Sequence, residues 1–366
     1  MNEWKKVKIS EIGKVVTGKT PKTSNSSFYG GKTPFFTPSD DWSTKYIKNT
    51  NKYLTKDGKN SVKASIIPKN AICVSCIGTI GKVAITSSET VTNQQINSII
   101  VNETKYHIDF IYYAMLELGK LLNLHSGSST VVPIISKNTF SEYKLTCPNL
   151  DEQKKIANVL SIIDKKIEIN KQINDNLEKQ MNFVFKNMMS KAMNNKIKGE
   201  YVLVKNLTQV ITGKEDANFS DENGKYKFFT CSNEALKCNE YKFNSSSILI
   251  AGNGDFNVKH YTGKFNAYQR TYVLTPQKDY YALLYLSSVE RINALKLRST
   301  GSIIKFITKN DIESIPVFIP WDKNILNILN QLLSLKDKKS NENEYLASLR
   351  DYLLPLLLNG QVTIED

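Results

Sequence analysis

Residues 156–188 read IANVLSIIDKKIEINKQINDNLEKQMNFVFKNM. Alternating steps of four and three residues along this segment land on a single series: Ile156, Leu160, Ile163, Ile167, Asn170, Asn174, Leu177, Met181, Val184 and Met188. This spacing is typical of a helix that packs against a second helix in a coiled coil. At about 1.5 Å per residue, the segment predicts a helical rod roughly 48 Å long.

Residues 325–356 carry a second series with the same spacing. After Ile325 it runs through Ile328, Leu332, Leu335, Lys339, Glu342, Leu346, Leu349, Leu353 and Leu356. Each series has two polar members in the middle, and polar residues in such a seam fix its register. We therefore predict that the two segments form an intramolecular antiparallel coiled coil. The alternative is two amphipathic helices, each packed on its own domain.

The two helical segments follow two copies of one repeated block. Val15-Val16-Thr17-Gly18-Lys19 reappears as Val210-Ile211-Thr212-Gly213-Lys214, and Gly31-Lys32 with Phe35-Phe36-Thr37 reappears as Gly224-Lys225 with Phe228-Phe229-Thr230. Matches that keep their order along the chain indicate an internal duplication. Short β-branched runs beside one embedded helical segment predict an α+β fold for each copy. The predicted organisation is two pseudo-repeated mixed α/β domains (1–149 and 199–320), two long helices (150–198 and 321–358) and a C-terminal tail (359–366).

Composition narrows the class of partner. The chain has 366 residues and a net charge of +14, most of it in the two mixed domains. A basic surface attracts polyanions, so nucleic acid is the leading partner class. The alternative is a lysine-rich and asparagine-rich composition without a role in binding. Five scattered cysteines, with no secretory segment and no apolar run long enough to span a membrane, predict a cytoplasmic protein.

The whole chain resembles the specificity (S) subunit of type I restriction-modification enzymes. The resemblance rests on the tandem domains, each followed by a long spacer helix, and on local motifs. These are Trp4…Ile9…Ile12…Thr17-Gly18-Lys19-Thr20-Pro21; Gly78-Thr79-Ile80-Gly81-Lys82 followed by Thr92-Asn93-Gln94-Gln95; Pro148-Asn149-Leu150 with Glu152-Gln153-Lys154-Lys155-Ile156; and LRDYLLPLL at 349–357 with Gly360. The second domain departs from the pattern, with Gly254-Asp255-Phe256 and Tyr268-Gln269-Arg270 at the places of Gly78-Thr79-Ile80 and Asn93-Gln94-Gln95.

The resemblance implies a DNA-recognition subunit without catalytic activity of its own. Each mixed domain would be a target-recognition domain that reads one half of a bipartite double-stranded DNA site. The helices would set the gap between the halves and dock two methyltransferase (modification) subunits, and restriction subunits would complete the complex. S-adenosylmethionine, ATP and Mg are expected on those partner subunits and not on this chain, and no membrane partner is implied. The alternative is a non-catalytic coiled-coil adaptor that binds other proteins.

Candidate DNA contacts follow from side-chain chemistry. Lysines neutralise phosphates, and the candidates are Lys19, Lys22, Lys32, Lys45, Lys82, Lys214, Lys225, Lys259 and Lys264. Asn, Gln, Arg, Ser and Thr read base edges, and loop clusters rich in such side chains contain Ser39, Asp40, Trp42, Asn93, Gln94, Gln95, Ser232, Asn233, Asn253, Asn257, His260, Gln269 and Arg270. The alternatives are a lysine that is only solvated, a structural ion pair at Arg270, and a strand end at residues 92–95.

Catalytic and metal-binding motifs are weak in this sequence. Residues 13–20 match the phosphate-loop pattern, but loop-forming residues follow where the mechanism needs a helix. Cys73 and Cys76 lack a second ligand pair with zinc-site spacing. No Pro-Pro pair is present for an adenine methyltransferase site. The sequence therefore predicts no catalytic, cofactor-binding or metal-binding residue in this chain.

Overall fold

A computed structural model describes residues 4–126, 134–298 and 306–364. This part of the chain contains helices together with consecutive runs of short, mostly antiparallel strands, which confirms the predicted α+β class. The chain divides into two compact units. Unit 1 is Met1–Glu168 with Asn343–Asp366, and unit 2 is Ile169–Glu342.

Unit 1 contains the first mixed domain and a part of each long helix. Its strands are β1 (Lys5–Lys8), β2 (Gly13–Thr17), β3 (Tyr29–Phe36), β4 (Lys52–Leu54), β5 (Ile66–Ile67), β6 (Ile72–Ser75), β7 (Val83–Ile85), β8 (Thr90–Thr92), β9 (Ile96–Val101) and β10 (Lys144–Cys147). Its helices are α1 (Ile9–Ile12), α2 (Lys56–Asn60), α3 (Ile108–Ser126), α4 (Lys137–Glu142), the first part of α5 (Leu150–Met193) and the last part of α9 (Lys323–Leu358).

Two four-stranded sheets form this domain, in the orders β2-β9-β6-β7 and β4-β3-β8-β5, while β1 pairs with β10. Successive side chains of a strand point to opposite faces of its sheet. On β6, Ile72 and Val74 therefore enter the main core, whereas Cys73 enters a smaller cluster around Phe36. The sheet that contains β6 is consequently buried on both faces.

Both long helices complete the main core of unit 1. Ile156 and Leu160 of α5 and Leu354 and Leu357 of α9 are at most 2% exposed and belong to the same cluster as Phe110 of α3. Removing one such side chain leaves a cavity that costs about 2–5 kcal/mol. The helices are therefore part of the folded domain and not an appendage to it.

Unit 2 contains the second mixed domain. Its strands are β11 (Gly199–Leu203), β12 (Val210–Thr212), β13 (Tyr226–Phe229), β14 (Leu236–Cys238), β15 (Phe243–Ala251), β16 (Val258–Ala267), β17 (Thr271–Leu274) and β18 (Pro316–Pro320). Its helices are α6 (Val204–Leu207), α7 (Tyr281–Arg298), α8 (Lys309–Glu313) and the remaining parts of α5 and α9.

One six-stranded sheet dominates unit 2, in the order β12-β17-β15-β16-β13-β14, and β11 pairs with β18. On β15, Ile248 and Ile250 enter the core beneath α7, while Leu249 enters an aromatic cluster with Phe229 and Phe265. The parallel pairing of β13 with β16 corresponds to that of β3 with β8 in unit 1. Each domain therefore folds around a central strand that is buried on both faces.

The long helices are antiparallel within each unit. In unit 1, Arg350 of α9 bonds Asp164 of α5 (2.9 Å), and the Asn343 amide donates to the carbonyl oxygen of Ile167 (3.2 Å). In unit 2, Asn174 of α5 donates to Ser340 (3.0 Å), and Lys336 of α9 bonds Glu178 (2.6 Å). Residue numbers rise along α5 as they fall along α9 in both units, as predicted for the helix pair.

The predicted seam of α5 lies on the inner face of that helix. Asn170 is fully buried. Every other predicted position is buried or half-buried: Ile156, Leu160, Ile163, Ile167, Asn174, Leu177, Met181, Val184 and Met188.

The predicted seam of α9 needs correction in unit 2. Ile328 and Leu335 are 44% and 43% exposed, whereas Leu329 and Leu333 are buried. The reason is that this part of α9 also packs on the second domain, where the side chain of Asn330 bonds the backbone at the start of α7. The helix is therefore turned so that a neighbouring line of residues is buried. The other predicted positions, Leu332, Leu346, Leu349, Leu353 and Leu356, are half-buried.

Candidate nucleic-acid interface

In unit 1, the Thr-Gly-Lys motif lies against the turn formed by residues 93–96. The Gly18 amide donates to the carbonyl oxygen of Ile96 (3.0 Å), and the Lys19 amide donates to that of Thr92 (2.9 Å). A β-carbon at Gly18 would lie 2.1 Å from the carbonyl oxygen of Asn93. Only glycine allows the two segments to approach this closely.

Further backbone bonds hold the 93–96 turn. The Asn93 amide donates to the carbonyl oxygen of Phe36 (3.2 Å), and the carbonyl oxygen of Gln95 accepts from the Cys76 amide (2.8 Å). The backbone of the turn is therefore fixed to the ends of β3 and β6, and its side chains project from this fixed backbone.

A surface groove of about 370 Å³ opens beside this turn. It is lined by Thr20, Phe35, Thr37, Pro38, Ser39, Asp40, Asn51, Lys52, Asn93 and Gln95. Four of the predicted base-reading residues thus line one concave surface. Thr20, Asn51 and Lys52 also line it and were not predicted, because nothing in the sequence shows that the segments around them meet the 93–96 turn.

Hydrogen bonds hold the polar side chains of the 93–96 turn in place. The Asn93 amide donates to Oε1 of Gln95 (2.9 Å), and Asn93 Oδ1 accepts from the Gln95 backbone (3.1 Å). Thr20 donates to Oε1 of the exposed Gln94 (2.6 Å). Asn93 is itself buried, so it braces Gln95, whereas Gln94 and Gln95 are accessible.

Asp40 and Trp42, both predicted to contact bases, bond the backbone of their own loop. The Asp40 carboxylate accepts from the backbone of Thr37 (2.7 Å) and of Asn51 (2.6 Å). The Trp42 indole donates to the carbonyl oxygen of Thr37 and packs on Phe36 at 4.4 Å between ring centroids. The neighbouring Ser39 remains exposed on the rim of the groove.

Lys45, a predicted phosphate contact, lies in an ion pair inside unit 1. Its ammonium group bonds Asp109 (3.0 Å) and Ser161 of α5 (3.2 Å) and lies 4.8 Å from the ring centroid of Tyr113. The side chain is 14% exposed. The sequence could not distinguish it from a solvated lysine, because its partners lie more than 60 residues away.

Other predicted lysines of unit 1 are available to an anion. Lys19, Lys22 and Lys32 are exposed, and Lys82 is half-exposed. None of these four has a carboxylate partner within the described residues. A cation that is solvated in this way can bind a phosphate without first breaking an ion pair.

Unit 2 repeats the same backbone arrangement around a turn at residues 268–271. Four bonds correspond one by one to those of unit 1: Gly213 to Thr271 (3.0 Å), Tyr268 to Phe229 (2.9 Å), Thr271 to Tyr268 (2.8 Å) and Gly252 to Arg270 (2.8 Å). A β-carbon at Gly213 would lie 2.0 Å from the carbonyl oxygen of Ala267. The two copies therefore share these backbone contacts of the turn, while the side chains of the turn differ.

Three loops meet at this turn in unit 2. The thiol of Cys231 donates to the carbonyl oxygen of Arg270 (3.5 Å), and the Asn257 amide donates to that of Cys231 (2.9 Å). Ser232 and Asn233 are exposed beside them, and Asn253 is half-exposed. These members of the predicted cluster of the second domain therefore lie near one another.

Asn257 and Lys259 hold that cluster together. The Lys259 ammonium group donates to Asn257 Oδ1 (2.5 Å) and to the carbonyl oxygen of Thr230 (3.3 Å). Burial lowers the pKa of Lys259 below its ordinary 10.5. Lys259, a predicted phosphate contact, therefore takes part in the hydrogen bonds that join these loops.

Several charged groups of unit 2 remain open to a ligand. Arg270 is exposed, and its guanidinium makes no hydrogen bond or ion pair with the described residues. The structural ion pair considered for Arg270 is therefore absent from the described part of the chain. Lys214 and Lys225 are exposed in the same way. Gln269 is exposed and donates to Asp216 (2.9 Å), while Lys264 lies over the ring of Tyr241.

His260, a predicted base-reading residue, faces α9 in this structure. Its side chain is 12% exposed, and Nδ1 lies 3.4 Å from Asp337 of α9. Its ring packs edge-on against Tyr285 at 4.6 Å between centroids. Because β16 alternates its faces, His260 points towards the helices.

Acidification is expected to act on His260 and Asp337 in opposite directions. Burial, with the Lys336 charge, lowers the pKa of His260 from 6.5 to about 4. The unfolded chain therefore takes up a proton first, and His260 reduces stability as pH falls through this range. Burial raises the pKa of Asp337 from 3.8 to about 6, so the folded state takes up a proton first and Asp337 adds stability as pH falls from 6 to 4.

As pH falls from 7 to 4.5, the free energy of unfolding of His260→Gln is therefore expected to rise by about 2 kcal/mol relative to that of the unmodified chain. Asp337→Asn is expected to lose stability over the same range. Denaturant unfolding at each pH measures both effects. Parallel pH profiles for the two variants would contradict the assignment.

The two closely spaced cysteines are buried in or beside β6. Burial raises the pKa of Cys73 to about 12 and that of Cys76 to about 11, which keeps both thiols protonated. Within residues 4–126, 134–298 and 306–364, no cluster of three or more His, Cys, Asp or Glu residues has metal-site geometry. In the same ranges no helix combines the length and apolarity needed to cross a membrane.

A family model described as "Type I restriction modification DNA specificity domain" matches residues 1–179 and 198–345. The chain belongs to this family. Its first matched range contains the 93–96 turn and its second contains the 268–271 turn. Specificity subunits are the non-catalytic DNA-recognition components of restriction-modification systems, and the predicted family and DNA-recognition role are confirmed.

Known specificity subunits resemble the chain over different lengths. The type I restriction enzyme EcoDI specificity subunit of Escherichia coli is 37% identical over 166 residues, which is 43% of this chain and 37% of that protein. The MjaIX specificity subunit of Methanocaldococcus jannaschii is 27% identical over 414 residues, which covers 100% of this chain and 94% of that protein. The crystal structure of the type I S subunit from M. genitalium shares the fold, with a TM-score of 0.64, 18% identity and coverage of 97% of this chain and 96% of that one.

Proposed function

We propose that this chain selects the DNA target of a type I restriction-modification complex by reading a bipartite site. Residues 1–149 act as the first target-recognition domain and residues 199–320 as the second. The spacer segments at residues 150–198 and 321–358, which contain α5 and α9, set the gap between the two half-sites, and residues 359–366 form a tail. The match of a DNA specificity domain to two ranges of the chain supports this proposal.

One observation carries the proposal. The turns at residues 93–96 and 268–271 have the same backbone hydrogen bonds but present Asn-Gln-Gln in one domain and Tyr-Gln-Arg in the other. Turns with the same backbone but different polar side chains are suited to two domains that recognise different DNA sequences. Base edges are distinguished by the donors and acceptors that a protein presents in the major groove.

Charge supports the same conclusion. Lys19 and Lys214 occupy equivalent places next to the two turns, and both are exposed. Phosphate contacts position a protein on DNA without carrying sequence information. The lysines therefore hold each domain on the duplex while the turn contacts the bases.

The remaining partners follow from this role. Two methyltransferase subunits dock on the long helices and carry S-adenosylmethionine, and restriction subunits with ATP and Mg complete the nuclease. Exposed apolar residues on α5 and α9, including Phe183, Ile328 and Tyr352, offer contact area for such subunits. The complex acts in the cytoplasm, where the host DNA is accessible to it.

Exchanging residues 199–320 for the second domain of another specificity subunit is expected to replace one half-site and leave the other unchanged. The physical reason is that the 268–271 turn and the six-stranded sheet that supports it both lie within residues 199–320, although α5 and α9 also contribute side chains to the core beneath them. Methylome sequencing of cells that carry the chain with its methyltransferase subunits measures the recognised sequence. The matched control is the exchange of residues 1–149, which should replace the opposite half-site.

The two exchanges together test the modular interpretation. A change in both half-sites after either exchange would contradict it. If the unmodified complex neither methylates nor binds DNA with sequence preference, the chain is instead a protein adaptor.

A further inference from the structure

Gln95 and Arg270 occupy the same place in the two domains. The carbonyl oxygen of Gln95 accepts from the Cys76 amide, and that of Arg270 accepts from the Gly252 amide, both at 2.8 Å. Cys76 and Gly252 are equivalent as well, because their own carbonyl oxygens accept from the Ile135 and Ile307 amides, again both at 2.8 Å. The two side chains therefore leave the same fixed backbone.

Comparison of the two copies separates phosphate positions from base positions. Phosphates are identical in every DNA sequence, so a phosphate contact can keep its cation in both copies, as Lys19 and Lys214 do. Base contacts must differ wherever the two half-sites differ. The position of Gln95 and Arg270 keeps its backbone but exchanges an amide for a guanidinium, which is the behaviour of a base contact.

Arg270 is also accessible to a ligand, and both side chains have base-reading chemistry. The chain has four arginines, and Arg270 is the one in an exposed loop: Arg291 and Arg298 lie on α7, and Arg350 is paired with Asp164. Arginine donates two hydrogen bonds to O6 and N7 of guanine, and glutamine pairs in the same bidentate way with N6 and N7 of adenine.

Neighbouring residues position Gln95. Asn93 donates to its Oε1 (2.9 Å), which leaves the Nε2 group as a donor towards the groove. A bound adenine needs both a donor for N7 and an acceptor for the N6 amino group. The second lone pair of Oε1 supplies that acceptor.

We propose that Arg270 reads a guanine in the half-site of the second domain and that Gln95 reads an adenine at the corresponding place in the other half-site. The proposal rests on the proposed function and assigns one base contact to each domain. The position shared by the two residues is then a specificity-determining position of the chain.

The experiment uses the complete chain with its methyltransferase subunits and two reciprocal variants, Arg270→Gln and Gln95→Arg. Methylome sequencing gives the recognised sequence of each, and binding to oligonucleotides substituted at single positions gives the preference. Arg270→Gln is expected to change one guanine to adenine in one half-site, with a shift in preference of about 5-fold to 150-fold. Gln95→Arg is expected to make the opposite change in the other half-site.

Lys237→Gln is the matched control, because it removes one positive charge from an exposed position on β14 of the same unit. It should leave the recognised sequence unchanged. A uniform loss of affinity in Arg270→Gln, without a change of preferred base, would mean that Arg270 contacts phosphate and would overturn the proposal. An unchanged site and affinity would overturn it too.

The proposed function fails separately from this assignment. If the unmodified complex shows no sequence preference, both are wrong. If the unmodified complex recognises a bipartite site that the two variants do not alter, only the base assignment is wrong.

Discussion

Asp164→Ala is expected to lower the free energy of unfolding by about 3 kcal/mol. Tyr113 of α3 donates to Asp164 Oδ2 (2.6 Å), and Arg350 of α9 donates to Oδ1 (2.9 Å). The phenol ring is fully buried, and burial next to this carboxylate raises the pKa of Tyr113, so the hydroxyl remains a donor. The substitution leaves a phenol and a guanidinium without their shared acceptor.

Denaturant unfolding of the complete chain measures this loss, and hydrogen exchange should locate it in α3, α5 and α9. Asp151→Ala is the matched control, since it removes a carboxylate from the same helix at a position that is 88% exposed. It is expected to cost less than about 1 kcal/mol. An equal effect of the two substitutions would show that the Asp164 network does not hold the helices to the first domain.

Gly213→Ala is expected to abolish recognition by the second domain and to destabilise that domain by about 3 kcal/mol. The new methyl group would lie 2.0 Å from the carbonyl oxygen of Ala267 and 2.4 Å from that of Tyr268. The backbone must move to relieve both contacts, and the 268–271 turn moves with it. The half-site read by the first domain should stay unchanged.

Gly18→Ala should have the reciprocal effect, because its methyl group would meet the backbone of residues 92 and 93. Thr212→Ala is the control beside Gly213, at an exposed position. Gly254→Ala adds a second comparison. Gly254 has a φ of +68° and open space around it, so alanine there costs only about 1 kcal/mol of backbone strain. If Gly213→Ala still directs methylation of both half-sites, the close approach of Gly213 to the 268–271 turn is not needed for recognition.

The sequence was informative wherever a feature is local or periodic. The apolar spacing of residues 156–188 predicted a long helix and its inner face, because a helix returns to the same face at fixed intervals. The repeated Val-x-Thr-Gly-Lys motif predicted the duplication, whereas the close backbone approach at its glycine became visible only in the structure. Both signals can be read from the order of residues without any knowledge of tertiary contacts.

The candidate interface was predictable only in part. Gln95 and Arg270 could be selected because they stand in loops and have base-reading chemistry. Lys45 and His260 have equally suitable side chains, yet one bonds Asp109 and the other faces Asp337. The polar partner of each lies more than 60 residues along the chain, beyond the reach of any local pattern.

By itself the sequence determined the α+β class, the two repeated domains and the long helices, because helix periodicity, strand-forming runs and turn residues act over short distances. Tertiary structure alone decided which face of α9 is buried. Leu329 and Leu333 pack in the core of the second domain, and the heptad spacing of α9 gives no information about that contact. It also decided which polar side chains remain free for DNA. A side chain is free only if the folded chain brings no partner to it, and that depends on contacts between residues far apart in sequence.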